Sequence, residues 1–102
     1  MSTETNIKWV TKPFTALSPN ELYAILRLRS EVFVVEQNCA YVDADGVDTY
    51  SEHLLDLDNG ALRACSRIFE KDGMMVIGRV VVDPQYRGKG FGKSIMNESI
   101  SI

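Results

Sequence analysis

Residues 7–15 (Ile-Lys-Trp-Val-Thr-Lys-Pro-Phe-Thr) read as a first strand. Pro13 donates no ladder hydrogen bond, so this strand belongs at a sheet edge or ends in a bulge. The period then lengthens. Leu22, Ile25, Leu26, Val32 and Phe33 form one helical stripe, predicting a helix that runs to about Glu36. Its start is marked by Ser18-Pro19-Asn20-Glu21, with a capping serine, proline at the first helical position and the glutamate of a capping box. Arg29 and Glu36 fall on the apolar stripe, two turns apart, and a charge there needs a reason. A buried or half-buried structural ion pair holding this helix to its neighbours is one; a place beside an acceptor site is the other. Residues 37–52 form a polar connector, and 53–58 and 61–69 read as two strands joined at Asn59-Gly60, a strong type I′ hairpin signal. A second turn at Lys71-Asp72-Gly73 leads into 74–82 (Met-Met-Val-Ile-Gly-Arg-Val-Val-Val), the most apolar strand. Such a strand is usually interior to a sheet, yet nothing after it can pair with its second side. Asp83-Pro84, a glycine-rich loop and a helix from about Gly90 complete the chain, which reads as the front of a longer domain.

Composition narrows the classes. The chain has 102 residues, 45% hydrophobic and 25% charged, as one globular domain would. Eleven basic against 14 acidic residues give a net charge of −3, so no positive field recruits nucleic acid. The apolar runs are too short to span a bilayer, and no basic start with an apolar stretch marks secretion. No membrane or nucleic-acid partner is expected. Cys39 and Cys65 lack metal-ligand spacing, read as small packing residues and fit a reducing cytoplasm. Asp43, Asp45 and Asp48 in the connector invite a calcium reading, but the glycine is misplaced and the closing glutamate absent. The aspartates read instead as a solvated acidic loop, or as an attractor of a cationic amine.

Chemistry concentrates at Val80-Val81-Val82-Asp83-Pro84-Gln85-Tyr86-Arg87-Gly88-Lys89-Gly90-Phe91-Gly92-Lys93. A buried strand ends, three alternate glycines follow, and a helix starts with its amides facing back into the loop. Side chains missing at Gly88, Gly90 and Gly92 let an anion approach the backbone, and the helix end favours phosphate there. Arg87, Lys89 and Lys93 add positive charge. A dinucleotide fingerprint fails because Lys93 holds the place of its third glycine. A Walker loop ending Gly92-Lys93-Ser94 would need glycine at 87, which is arginine; that near miss leaves a magnesium-dependent nucleotide-binding module as a minor alternative.

Gln85-x-x-Gly88-x-Gly90 after an apolar strand resembles the acetyl-coenzyme-A loop of the GNAT N-acetyltransferases, Q/R-x-x-G-x-G/A. Upstream, residues 26–41 (Leu-Arg-Leu-Arg-Ser-Glu-Val-Phe-Val-Val-Glu-Gln-Asn-Cys-Ala-Tyr), then Asp43, Asp45-Gly46 and His53, resemble the ElaA-type subfamily of that superfamily, and the likeness extends from about residue 7 onward. The resemblance implies an α/β fold: the N-terminal portion of a GNAT acyl-CoA N-acyltransferase, four mainly antiparallel strands with helices, as one domain over 1–102. The family's second helix is not evident before residue 53, and its fifth strand, parallel to the fourth, further helix and last two strands are absent. It also implies acetyl-CoA as cosubstrate, no metal, and a small-molecule or peptide amine as acceptor, attacking the thioester directly. Val80 and Val82 would then pair through their backbones with the pantetheine arm. Gln85 and the amides of Arg87, Gly88, Lys89, Gly90, Phe91 and Gly92 would hold the pyrophosphate, with Lys93 adding charge. The strand where some relatives carry a catalytic glutamate has Arg79 as its only charge, which leaves Glu36 and His53 as candidate bases; a lone histidine at a strand start is otherwise a structural group. With one wall of the cleft missing, low or no turnover is expected of the 102-residue chain. An inactive coenzyme-A-binding or oligomerising fragment is the alternative, and the open apolar strand predicts a homo-oligomer.

Overall fold

The computed structural model describes residues 8–37, 43, 45–58, 61–87 and 91–101. Strand β1 (Lys8–Pro13) leads through a short 3₁₀ turn to helix α1 (Pro19–Arg29), which runs on as a π-helix over Ser30–Glu36. A 3₁₀ turn at Val47–Tyr50 precedes β2 (Glu52–Asp58), β3 (Ala61–Lys71) and β4 (Met74–Val82); a last 3₁₀ turn, Pro84–Tyr86, precedes helix α2 (Phe91–Ile100). The strands form one antiparallel sheet in the order β1-β2-β3-β4, with α helices on both faces. This is the expected α/β fold, with β1 at one edge and Pro13 as its last residue.

Local chemistry sets the elements. Ser18 Oγ accepts from the Glu21 amide at 3.0 Å, and the Glu21 carboxylate accepts from the Ser18 amide at 2.8 Å. Both arms of the capping box are therefore made. Lys12 Nζ donates to the same carboxylate at 2.8 Å, tying β1 to α1. The expected extent of the helix, to Glu36, holds, but its pitch does not. Val32, Val34 and Val35 crowd the turn with β-branched side chains, and the Gln37 amide bonds the Val32 carbonyl five residues back at 3.0 Å. Arg29 is buried and Glu36 exposed, and each pairs with a neighbouring element as a structural ion pair would: Arg29 with Asp48 at 2.8 Å and Glu36 with Arg87 at 2.6 Å.

In the β2–β3 hairpin Asp58 pairs with Ala61; the conformation of Asn59-Gly60 lies outside the described residues. In the β3–β4 hairpin Lys71 pairs with Met74, and Asp72 and Gly73 have φ of 53° and 79°, as a type I′ turn requires. On one face Leu55, Cys65 and Val81 pack with Ile25, Leu28 and Val32. On the other, Leu54, Ala64 and Ile68 pack with Ile95 of α2, flanked by Trp9, Ile77, Val80 and Val82. Among the described residues β4 has a strand on one side only. None of the helices described is long and apolar enough to cross a membrane.

Candidate functional site

The end of β4 carries the first part of the site. Asp83 accepts from the Gln85 amide at 2.9 Å and so caps the Pro84–Tyr86 turn. Val80 and Val82 send their side chains into the α2-facing core. A cleft of about 340 Å³ opens here, lined by Val32, Phe33 and Gln37 of the π-helical segment, Val80–Val82 and Arg87. Arg87 Nε donates to the Val82 carbonyl at 3.2 Å, and its two terminal nitrogens donate to Glu36 at 2.6 and 2.7 Å. This bidentate pair joins the start of the glycine loop to the end of the π-helix. It holds the Glu36 carboxyl below its ordinary value, chiefly through the Arg87 hydrogen bond, so Glu36 is a weaker base while Arg87 is on it. Gln85 lines a separate cleft against Arg27 and Glu31 of the helical segment. Gly88, Lys89 and Gly90 lie outside the described residues; Phe91, Gly92 and Lys93 form the first turn of α2.

The connector differs from expectation. It is neither a solvated acidic loop nor a free attractor of cations, because three arginines from three elements neutralise it. Arg29, only 1% exposed, donates to both Asp48 carboxylate oxygens at 2.8 and 3.2 Å and approaches Asp43 at 3.0 Å. Arg67 donates to both Asp45 oxygens at 2.8 Å and to Asp48 at 3.1 Å. Arg79 reaches Asp43 at 3.0 Å and Asp45 at 3.3 Å. The bonds from Arg67 hold the Asp45 carboxyl far below the usual range. Burial works against a charged Asp48, but Arg29 and Arg67 more than offset it and keep this carboxyl low as well. Burial likewise disfavours the Arg29 cation, and Asp48 and Asp43 reverse the balance. A carboxylate so engaged has little left for an external amine.

His53 sits behind this network on β2. It is buried, tilted against Phe14 at 6.3 Å between ring centroids, with Nε2 2.9 Å from the Asp48 carbonyl. A carbonyl only accepts, so Nε2 carries the proton in this bond. The structure does not bring His53 and Glu36 together: His53 is in register with Arg67 and through it with Gly78, whereas Glu36 lies at Arg87, beyond the end of β4.

Two features had no counterpart in the sequence reading. Arg79 has φ of 49°, and at this point two residues of β4 oppose one of β3, a bulge between the pairs Arg67–Gly78 and Cys65–Val81. Arg63 is the extra residue of a second bulge, in β3, and donates to the fully buried Asp56 at 2.9 Å while its guanidinium lies 5.5 Å from the Tyr86 ring centre. This anchors the turn before the glycine loop to the sheet. Burial pushes the Asp56 carboxyl up, against Arg63. Cys65 is buried and free, and burial pushes its thiol up to about 12, so it is no nucleophile at neutral pH. Cys39 lies outside the described residues.

Comparison with known proteins decides the family. The sequence profile of the acetyltransferase (GNAT) family matches residues 9–102. The chain belongs to this family. It is 43% identical over 97 residues to a UPF0039 protein of Schizosaccharomyces pombe and 41% identical over 99 residues to protein ElaA of Escherichia coli. These matches cover 93% and 92% of the chain but 65% of each relative, so the chain spans about two thirds of their length. Its fold superposes on the E. coli ElaA crystal structure with a TM-score of 0.87 at 41% identity, and on an acyl-CoA N-acyltransferase of Pseudomonas aeruginosa with 0.89 at 40%; each match covers 93% of this chain and 68% of the other. The GNAT architecture expected from the glycine loop and the upstream helix is thus the one found.

Proposed function

We propose that the chain is the acetyl-CoA-binding part of an N-acetyltransferase that transfers an acetyl group directly to an amine. The observation that carries this reading is the junction of β4 and α2 in a GNAT-family chain. An apolar cleft runs along Val80–Val82 to Arg87, and the sequence Gln85-x-x-Gly88-x-Gly90 leads from there into a helix N-terminus. That order, apolar wall then anion-binding backbone, suits a pantetheine arm ending in a pyrophosphate. Val80 and Val82 serve the arm through their backbones. Gln85, the amides of residues 87–92 and the charges of Arg87, Lys89 and Lys93 serve the phosphates. An amine with pKa near ~10.4 is less than about 0.1% neutral at pH 7, so it must lose a proton before or during attack on the thioester. Its nitrogen then bonds to the acetyl carbon, the carbon–sulfur bond breaks, and the sulfur takes up a proton. Glu36 is the base candidate nearer the cleft, provided that Arg87 turns toward phosphate; His53 would act only through a chain of waters. The acceptor is a small-molecule or peptide amine and the setting the cytoplasm, where free Cys65 is stable.

Titration calorimetry tests the reading. Acetyl-CoA should bind without metal, and ATP with magnesium should not displace it. Magnesium-dependent ATP binding with no heat from acetyl-CoA would replace this function with a nucleotide-binding one.

Among the described residues β4 is open on one side, and this supports a second expectation. Its backbone groups on that side are a template for another strand, and in the 102-residue chain we propose that a second copy supplies the cover. Sedimentation across a concentration series should show mass rising to at least a dimer. A monomer at every concentration, with the β4 amides protected from hydrogen exchange, would mean that the chain covers its own edge.

A further inference from the structure

We propose that Asp43 and Arg79 are positioning residues: the ion pair between connector and strand holds the β4 bulge in place and so aims the cleft-lining stretch 80–82. The inference deepens the acetyl-CoA reading and rests on it only for its binding readout. Arg79 has φ of 49°, a left-handed conformation that side chains other than glycine avoid. Bulges of this kind usually place glycine at the left-handed position. Here the glycine is one residue earlier, at Gly78, where an added Cβ would meet only ordinary contacts at 3.8 and 3.9 Å. The strained position is thus given to a side chain, and that side chain is tied to the connector. Arg79 Nε donates to Asp43 Oδ1 at 3.0 Å, and Nη2 donates to the Asp43 carbonyl and to Asp45 Oδ2, both at 3.3 Å. Asp43 is also held by buried Arg29, whose Nε donates to the same Oδ1 at 3.2 Å and whose Nη2 donates to the same carbonyl at 3.0 Å. The clamp therefore runs from the core of α1 through the connector to the bulge.

The bulge matters because of period. Before it, Gly78 pairs with Arg67; after it, Val81 pairs with Cys65. One extra residue lets Val81 enter the α1-facing core while Val80 and Val82 pack toward α2. Removing the extra residue would slip the register by one and turn 80–82 over. The strain at residue 79 favours that slip by on the order of tenfold in equilibrium constant, and the ion pair opposes it.

Glycine separates this role from a merely structural one and from direct contact with a ligand, because it takes a left-handed φ without a clamp. The proposal is tested with R79A, R79G, D43A and D43A/R79G, reading acetyl-CoA affinity by calorimetry, hydrogen exchange of the Val80–Val82 amides, and melting temperature. R79A and D43A should each weaken acetyl-CoA about tenfold and raise exchange at 80–82. R79G should bind within about threefold of the original chain, and D43A/R79G should regain most of what D43A lost, although both melt lower for want of the ion pair. Equal losses in R79A and R79G, or no recovery in D43A/R79G, would overturn the clamp. If acetyl-CoA fails to bind the unaltered chain, the functional reading falls, and the exchange pattern across the same four variants still decides whether the pair holds the bulge.

Discussion

Arg29→Ala is expected to lower the unfolding free energy by about 3–5 kcal/mol, the cost of stripping one partner from a buried ion pair. That is a large share of the roughly 5–15 kcal/mol a domain of this size possesses. Arg29 is packed in the core beside Ile25 and Leu28 and is bonded to both oxygens of Asp48. Alanine leaves a cavity and a buried carboxylate with only Arg67 on one oxygen. With a urea slope of about 1–3 kcal/mol per molar, the midpoint should fall by at least ~1 M. The pH dependence adds a signature. The folded-state values of Asp45 and Asp48 lie below the ordinary 3.8, so the native state binds protons less tightly there than the unfolded chain. The stabilisation is fully present above pH 4 and is lost as pH falls below it toward the folded values. Without Arg29 the burial of Asp48 is less opposed and its carboxyl rises, so the variant loses less on acidification and the two stability curves converge. Asp56, which burial raises, has the opposite sign but is common to both proteins and cancels in the difference. A midpoint change equivalent to less than about 1 kcal/mol would show that the network contributes nothing net, as exposed pairs often do.

What could be read from the sequence was local. The capping box at Ser18 and Glu21, the Asp72-Gly73 turn and the strand–glycine-loop–helix order each lie within a few residues, and their chemistry is complete there. The anomaly at Arg29, a charge on an apolar stripe, was visible, but its partners were not. Asp43 and Asp48 are 14 and 19 residues away, and Arg67 and Arg79 come from strands whose pairing no periodicity specifies. The hint was numerical: three aspartates in one connector and three arginines at otherwise apolar positions of α1, β3 and β4. The π-helix was hidden because its valine run fits a helical stripe as well as a strand. The bulge at Arg79 was hidden because sequence marks left-handed residues by glycine or asparagine, and here a long-range ion pair does the same task. The link from Asp56 through Arg63 to Tyr86 depends on a second bulge, again without a glycine to announce it.

Replacing Gly88 or Gly90 by valine is expected to weaken acetyl-CoA at least a hundredfold, whereas Lys89→Ala should weaken it less than about fivefold. β4 ends at Val82, the turn closes at Tyr86, and α2 starts at Phe91 with the positive end of its dipole. The first four amides of that helix have no partner inside it and are the natural donors to a pyrophosphate. A hydrogen bond to a charged group contributes about 1.5–3 kcal/mol, so a branched side chain that holds the phosphates away from two such amides removes roughly 3–6 kcal/mol, a hundredfold or more in affinity. Lys89 offers one flexible, hydrated charge, with a contribution of about 0–1 kcal/mol and sensitive to salt. Calorimetry at two ionic strengths separates the contributions: the glycine variants should lose affinity equally at both, and the small Lys89 effect should shrink at the higher. Comparable losses at all three positions, each fading with salt, would show that the loop attracts phosphate by charge alone, and the backbone cradle would have to be abandoned.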